Sequence, residues 1–155
     1  MGQLCSFRAV IEHFHCKECF NPETWDFEGG KEYTKETQQT ILKLIEPEYI
    51  TRFSVLGGEP LEPQNYFELA KLINLIKQKR PDIKIWIYTG YTYENLVSKE
   101  STYLEYILNN IDVLVDGQFQ EDKRDLTYPF AGSTNQRVID MRKTREQNKI
   151  VLLDI

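Results

Sequence analysis

The stretch Thr51-Arg52-Phe53-Ser54-Val55-Leu56-Gly57-Gly58-Glu59-Pro60 decides the fold. Residues 51–56 are rich in side chains that suit a pleated strand, and two glycines followed by Glu59 and Pro60 stop the run, so a strand feeding a short polar loop is expected. Downstream, Phe67, Ala70, Ile73, Leu75 and Ile76 recur at helical spacing and predict a helix over about residues 63–80, stopped at Pro81. The cycle then repeats. Residues 83–88 read as a strand, 92–109 contain helical segments, and 111–115 read as a further strand. Strands alternating with helices predict a parallel sheet, because a parallel pair needs a crossover and a helix usually supplies it.

Working back from this unit, residues 7–11 read as a first strand and 13–30 as a polar, turn-rich stretch. Thr34 is placed to cap a helix running to Glu46, with Gln38, Ile41, Leu42 and Ile45 on one face and Pro47 as its stop. Forward of it, 136–140 and 149–153 read as strands around a short basic helical segment. The loops 57–60, 89–91 and 116–119 each follow a strand directly. In parallel α/β folds the carboxyl ends of the strands face one side and build the ligand site, so these three loops are expected to converge.

The chain has 155 residues, enough for one domain with one sizeable core. Hydrophobic residues at 41% and charged residues at 28% are those of a folded globular protein. With 19 Lys and Arg against 24 Asp and Glu, the formal charge is -5, which leaves no basic field for a phosphate backbone and argues against nucleic acid as a partner. The apolar runs are far shorter than the ~20 residues needed to span a bilayer, and no signal-peptide pattern opens the sequence, so no membrane partner and a cytoplasmic location are expected.

Three cysteines, two of them in Cys16-Lys17-Glu18-Cys19, are a poor disulfide framework and suggest metal or redox chemistry. Two thiolates at this spacing can clasp one metal centre. His13 and His15 stand beside them, so His13, His15, Cys16 and Cys19 also make a candidate tetrahedral zinc set, in a zinc-binding or catalytically inactive interaction module. Trp25 and Trp86 read as packing residues, since large aromatics commonly carry core area.

The segment His15-Cys16-Lys17-Glu18-Cys19-Phe20-Asn21-Pro22-Glu23-Thr24-Trp25-Asp26-Phe27 resembles the part that follows the cluster loop in the activating proteins of anaerobic ribonucleotide reductase, members of the radical S-adenosylmethionine (SAM) superfamily. Gly57-Gly58-Glu59-Pro60-Leu61, Trp86-Ile87-Tyr88-Thr89-Gly90-Tyr91, Asp112-Val113-Leu114-Val115-Asp116-Gly117 and Gly132-Ser133-Thr134-Asn135-Gln136-Arg137 follow in family order. The resemblance implies parallel βα repeats in a partial, incomplete TIM-like barrel. It also implies a [4Fe-4S] cluster held by the three cysteines of a CxxxCxxC motif, with one iron open to SAM. Reductive cleavage of SAM would then place a glycyl radical on the large subunit of the anaerobic reductase, with electrons from a donor such as a flavodoxin-type protein.

Residue by residue, Cys16 and Cys19 match cluster ligands. Glu18, Cys19 and Phe20 would lie near the SAM adenine, and Gly57, Gly58 and Glu59 match the motif at its amino group. Thr89, with Gly90, would lie at the mouth of the next strand, while Asp116-Gly117 is either a turn or part of the wall; no residue is assigned a catalytic role. Four residues before Cys16 stands Glu12, where the motif has its first cysteine. Cys5 is the remaining thiol and the candidate third ligand, with Glu12 or His13 as substitutes. One radical SAM domain over residues 1–155 is therefore expected, with 1–14 as an atypical leader.

Overall fold

In a computed structural model, the protein is described over residues 8–12, 23–26, 35–56, 59–125, 127 and 130–154, with residues 8–12 and 23–26 described as backbone alone. Strands β1 (Arg8–Glu12), β2 (Glu23–Asp26), β3 (Arg52–Leu56), β4 (Lys84–Tyr88), β5 (Val113–Asp116) and β6 (Arg137–Asp140) form one sheet in the order β2-β1-β3-β4-β5-β6. Helix α1 (Lys35–Leu44) precedes β3, α2 (Tyr66–Lys79) joins β3 to β4, and α3 (Tyr93–Val97) with α4 (Thr102–Asn110) joins β4 to β5. Helix α5 (Met141–Gln147) follows β6.

The repeat expected from residues 51–116 is present: β3, β4 and β5 are mutually parallel, each joined to the next through helix. The flanking strands correct the expectation of an all-parallel sheet. Strand β1 runs antiparallel to β3, pairing Arg8 with Leu56 and Glu12 with Arg52, and β6 runs antiparallel to β5. Between β5 and β6 the described chain holds only a short 3-10 turn, Glu121–Lys123, and without a helical crossover the strand returns in the opposite sense. Strand β2 lies inside the stretch read from sequence as turns. The strand expected at 149–153 reduces to an isolated bridge between Ile139 and Leu152, because the chain leaves α5 through a left-handed Asn148 (φ 52°) and touches β6 only briefly.

Alternation along the strands separates two apolar faces. Phe53, Val55, Ile85, Ile87, Leu114 and Ile139 form one core with the helices, where α1 contributes Ile41 and α2 contributes Leu69, Leu72, Ile73 and Ile76. Each such α2 side chain stabilises by roughly 1.5–3 kcal/mol through burial. Gln38, Ile41 and Ile45 are buried as the sequence predicts, whereas Thr34 lies outside the described residues. Phe67 is a correction: Tyr66, Leu69, Ala70 and Ile73 define the buried stripe, which leaves Phe67 one step round the helix, 48% exposed and edge-on to Tyr103. On the other face Trp86, Val113, Val115 and Val138 cluster together. Trp86 packs as expected, beneath the Arg52 guanidinium at 4.6 Å and beside Phe130 at 4.9 Å, while the Trp25 side chain lies outside the described residues.

Helix starts follow local chemistry. Thr92 Oγ1 accepts from the Asn95 amide at 3.2 Å, Ser101 Oγ from Leu104 at 3.3 Å and Asp140 Oδ1 from Lys143 at 2.9 Å, each satisfying an amide that the helix itself cannot. Among the described residues no helix is long and apolar enough to cross a membrane.

Arg80, at the end of α2, closes the turn after α1. Its Nη1 donates to the carbonyls of Ile45 (2.6 Å) and Pro47 (2.9 Å), its Nη2 to that of Ile50 (2.9 Å), and Asp82 pairs with the same guanidinium. Arg80→Ala leaves three carbonyls without this donor and should cost about 2–3 kcal/mol, with Arg80→Lys recovering only part because an ammonium lacks the planar fork. Urea unfolding midpoints of the three proteins check the order.

Candidate functional site

The four motif blocks that are separate in sequence meet at the carboxyl end of the parallel strands. Glu59 follows β3 and sends its carboxylate across to the loop after β4: Oε2 accepts from Thr89 Oγ1 at 2.7 Å and from the Leu61 amide at 2.9 Å, and Oε1 accepts from the Gly90 amide at 2.7 Å. Thr89 is 4% exposed, and its Oγ1 also accepts from the Tyr91 amide at 3.2 Å. Gly90 suits this approach because a Cβ there would come within 3.2 Å of Glu59 Oε1. The loop after β4 is tied in turn to the loop after β5 through Thr89 N to Val115 O (2.9 Å) and Gly117 N to Tyr91 O (3.0 Å). Gly117 adopts φ 96°, a left-handed conformation that favours glycine.

The fourth block braces the third. Gln136 Nε2 donates to Gly117 O at 3.0 Å while its Oε1 accepts from the amides of Gly132 (2.9 Å) and Ser133 (3.1 Å), and Asn135 Nδ2 donates to Gln118 O at 2.7 Å. Beneath them Asp116, only 1% exposed, accepts from the Tyr93 amide at 2.7 Å and from Arg137 through two donors. Arg137 reaches outward to Glu94 as well, with Nη2 to Oε1 at 2.6 Å. Hydrogen bonds first to Asp116 and then to Glu94 hold the Arg137 pKa above its ordinary value, and the same guanidinium holds the Glu94 carboxyl below the usual carboxylate range.

A cleft of about 630 Å³ opens between these loops, lined by Glu59, Glu62, Tyr88, Thr89, Gly90, Tyr91, Gly117, Gln118, Phe119 and Gln136. Its described lining holds two carboxylates and three aromatic rings but no Lys, Arg or His. Such a cleft favours a ligand with positive character and a planar apolar part, and its volume lies in the range of ~300–1,000 Å³ typical for small-molecule and cofactor sites. Burial, and then the nearby Glu62 and Glu59 carboxylates, push the Tyr91 phenol up; burial alone pushes up Tyr88, against the pull of Arg52. A second cavity of about 740 Å³ opens at the other end of the sheet, beside Arg52, Lys84, Trp86, Phe130 and Asp140, and none of the expected ligand-binding residues is in its described lining.

Among curated proteins, this chain is 37% identical over 123 residues to the anaerobic ribonucleoside-triphosphate reductase-activating protein of Vibrio cholerae, a match covering 78% of this chain and 77% of that one. It is 36% identical to the protein of the same name from Pasteurella multocida over the same shares, and 34% identical to that of Escherichia coli over 82% of this chain and 81% of the other. A family described as "4Fe-4S single cluster domain" matches residues 2–139. The chain belongs to the anaerobic reductase-activating family. No solved structure matches.

Of the residues that the family resemblance singles out, Glu59 and Thr89 are brought together, with Gly90, Asp116 and Gly117 around them. Cys5, His13, His15, Cys16, Glu18, Cys19, Phe20, Gly57 and Gly58 lie outside the described residues. Among the described residues no three His, Cys, Asp or Glu side chains come together to hold a metal ion. Glu12 pairs with Arg52 in β1, at the end of β3 away from Glu59, whereas Arg8 pairs with Leu56 at the near end. Glu12 thus stands about 13 Å from the Glu59 end of β3, at ~3.3 Å per residue. Cys16 and Cys19 are each four residues from the nearer strand end, Glu12 or Glu23, and that spacing spans at most ~13–14 Å when fully drawn out.

Sequence reading missed Glu62, Glu94 and the bracing roles of Gln136 and Arg137. The Gly132-Ser133-Thr134-Asn135-Gln136-Arg137 block was the available signal, as a polar run leading into the strand expected at 136–140. Arg137→Met leaves Asp116 buried without its cation. Breaking a fully buried pair costs ~3–5 kcal/mol, and because the Arg137 side chain is 31% exposed we expect about 2–3 kcal/mol by denaturant titration. Glu94 has a lowered folded-state pKa, so its contribution is present above the unfolded carboxylate pKa and is lost as pH falls through the folded value. The wild-type advantage over Arg137→Met should therefore hold from pH 7 down to about 5 and begin to shrink below about 4.5.

Proposed function

We propose that this protein activates anaerobic ribonucleotide reductase by generating a glycyl radical on the large subunit through reductive cleavage of SAM. The observation that carries this reading is the cleft, where four family motif blocks converge around an acidic, aromatic-lined cavity of cofactor size. SAM suits that chemistry, because it presents a sulfonium and an amino nitrogen as positive groups and an adenine as a planar one. The cluster, when bound and reduced by a flavodoxin-type donor, supplies the electron that opens a carbon–sulfur bond of SAM, so that a hydrogen atom is removed from a backbone glycine of the reductase.

Cys16 and Cys19 are the ligands the family motif assigns, and Cys5, the remaining thiol, is the candidate third ligand. Gly57, Gly58 and Glu59 would face the amino end of SAM, Thr89 and Gly90 the mouth of the cleft, and Glu18, Cys19 and Phe20 the adenine. The three parallel strands, with helices against one face and cavities along the other, support a partial barrel in which the antiparallel β1 and β6 are departures from a regular repeat. A barrel of this kind would shield the reacting atoms from water while the protein orients them. The cytoplasm, where a reductase and its electron donor are available, is the proposed location.

Anaerobic reconstitution with iron and sulfide, followed by metal quantitation and an assay for SAM cleavage on the same sample, tests the reading. About four irons per chain with SAM cleavage are expected, and Cys5→Ala should lose both. Stoichiometric zinc without SAM cleavage would overturn the proposal in favour of a zinc-binding module, and reductase binding without a radical would point to a catalytically inactive interaction module. Full iron and sulfide in Cys5→Ala would remove Cys5 from the ligand set.

A further inference from the structure

The larger cavity, about 740 Å³, lies at the end of the sheet away from the cleft, where β3, β4 and β5 begin and β6 ends. The proposed activity makes no use of it. Its inner wall is a stack of three side chains. Trp86, itself buried, carries the Arg52 guanidinium at 4.6 Å and the Phe130 ring edge-on at 4.9 Å, and Phe130 stands 5.7 Å from the same guanidinium. Val113 and Leu153 extend this wall with apolar surface.

Two features mark that wall as more than core packing. Phe130 has φ 64°, a left-handed conformation that a bulky side chain adopts only at a cost in energy, yet it remains 39% exposed beside the cavity. Burial also holds the Arg52 pKa below its ordinary value, against an opposing pull from Tyr88, so an anion brought close would stabilise the charged guanidinium. The charged rim favours the same kind of ligand. Of its acids, Asp112 accepts from the Ile85 amide at 2.8 Å and pairs with Lys77 at 3.6 Å, Asp140 accepts from the Lys143 amide at 2.9 Å, and Glu146 pairs with Arg142 at 3.6 Å. Lys84 and Lys143 make no ion pair among the described residues, and Asp154 is the one acid of the described rim without such a contact.

We propose that this cavity is a second ligand site, which takes a planar aromatic ring bearing a carboxylate or a phosphate. The ring packs against Phe130 and the apolar wall behind it, and the anionic group lies toward Lys84 and Lys143, close to the Arg52 guanidinium. Aromatic faces and a guanidinium attract one another, so a third ring adds to a stack that already exists. Lysine ammonium groups on flexible stems then supply charge-assisted donors to the anion. An aromatic carboxylate and a nucleotide share this chemistry. The site stands whether or not the cleft at the other end of the sheet takes SAM.

Calorimetric titration of the full chain tests the site. The probes are 2-naphthoate, with ring and charge, 2-naphthalenemethanol, with the ring alone, cyclohexanecarboxylate, with the charge alone, and uridine 5′-monophosphate beside uridine as the nucleotide pair. Naphthoate, uridine monophosphate or both should bind, each about tenfold or more tightly than its uncharged counterpart, as expected for hydrogen bonds to charged groups. Cyclohexanecarboxylate should bind more weakly than the aromatic anion by a similar factor. Which of the two anions binds identifies the source. The double variant Lys84→Met with Lys143→Met, both exposed positions, should unfold at the wild-type temperature and lose about tenfold or more in affinity for that anion. Phe130→Gly, which suits φ 64° but removes the ring, should lose affinity as well. Excess SAM should not displace the bound anion. The proposal is overturned if neither anion binds at millimolar concentration, if charged and uncharged probes bind equally, or if either variant keeps wild-type affinity. Displacement by SAM would put the probe in the other cleft and overturn it too.

Discussion

The carboxylate of Glu59 is the joint on which the described site depends. Strands β3 and β4 are held side by side by their backbone ladder, but the loops that leave them are free to diverge unless something crosses between them. Glu59 crosses, and it does so with an ionised acceptor taking two amides and a hydroxyl, the kind of charge-assisted contact that is roughly twice as strong as its neutral equivalent. The loop after β4 then fixes the loop after β5, and that loop is fixed by Gln136 and Asn135. Each loop is short, and each is held by the next, so the cleft is the sum of a chain of contacts that starts at one side chain.

The buried pair below the site works differently. Asp116 is removed from water and accepts from Arg137 and from the Tyr93 amide at once, which joins the end of β5 to the start of β6 and to the first turn of α3. A charge this deep is costly without its partner and close to neutral with it. Its value lies in register: β6 pairs antiparallel with β5, and a slip of one residue would put Val138 where Arg137 belongs and turn the strand inside out.

The sequence was most legible where its own punctuation was strongest. Between Thr51 and Asp116 the strands are short and apolar, glycine pairs or prolines close the elements, and helical spacing is clear, so the parallel unit and the convergence of its loops followed from the residues alone. The directions of β1 and β6 did not, because an isolated strand carries no mark of which way its neighbour runs; only the absence of a helix after β5 hinted at a reversal. Phe67 was misplaced by treating a helical stripe as wider than the core that receives it. In the site, Glu59 and Thr89 were legible through a motif, but their bond to each other spans 30 residues, and that between Glu94 and Arg137 spans 43. Pairings at such separations are set by the topology of the sheet and not by local pattern.

The linked loops also decide when the cleft loses its conformational freedom. Walls already held by Glu59, Gln136 and Asn135 are ordered as the chain folds, so most of the entropy of building the described site is lost before any ligand arrives. Entry into such a cleft should involve little rearrangement of these walls, and the heat-capacity change on binding should reflect mainly the apolar surface that the ligand itself covers. Discrimination between ligands then falls to the few side chains left facing inward, and a protein built this way selects by fit into a standing shape more than by closing around what it holds.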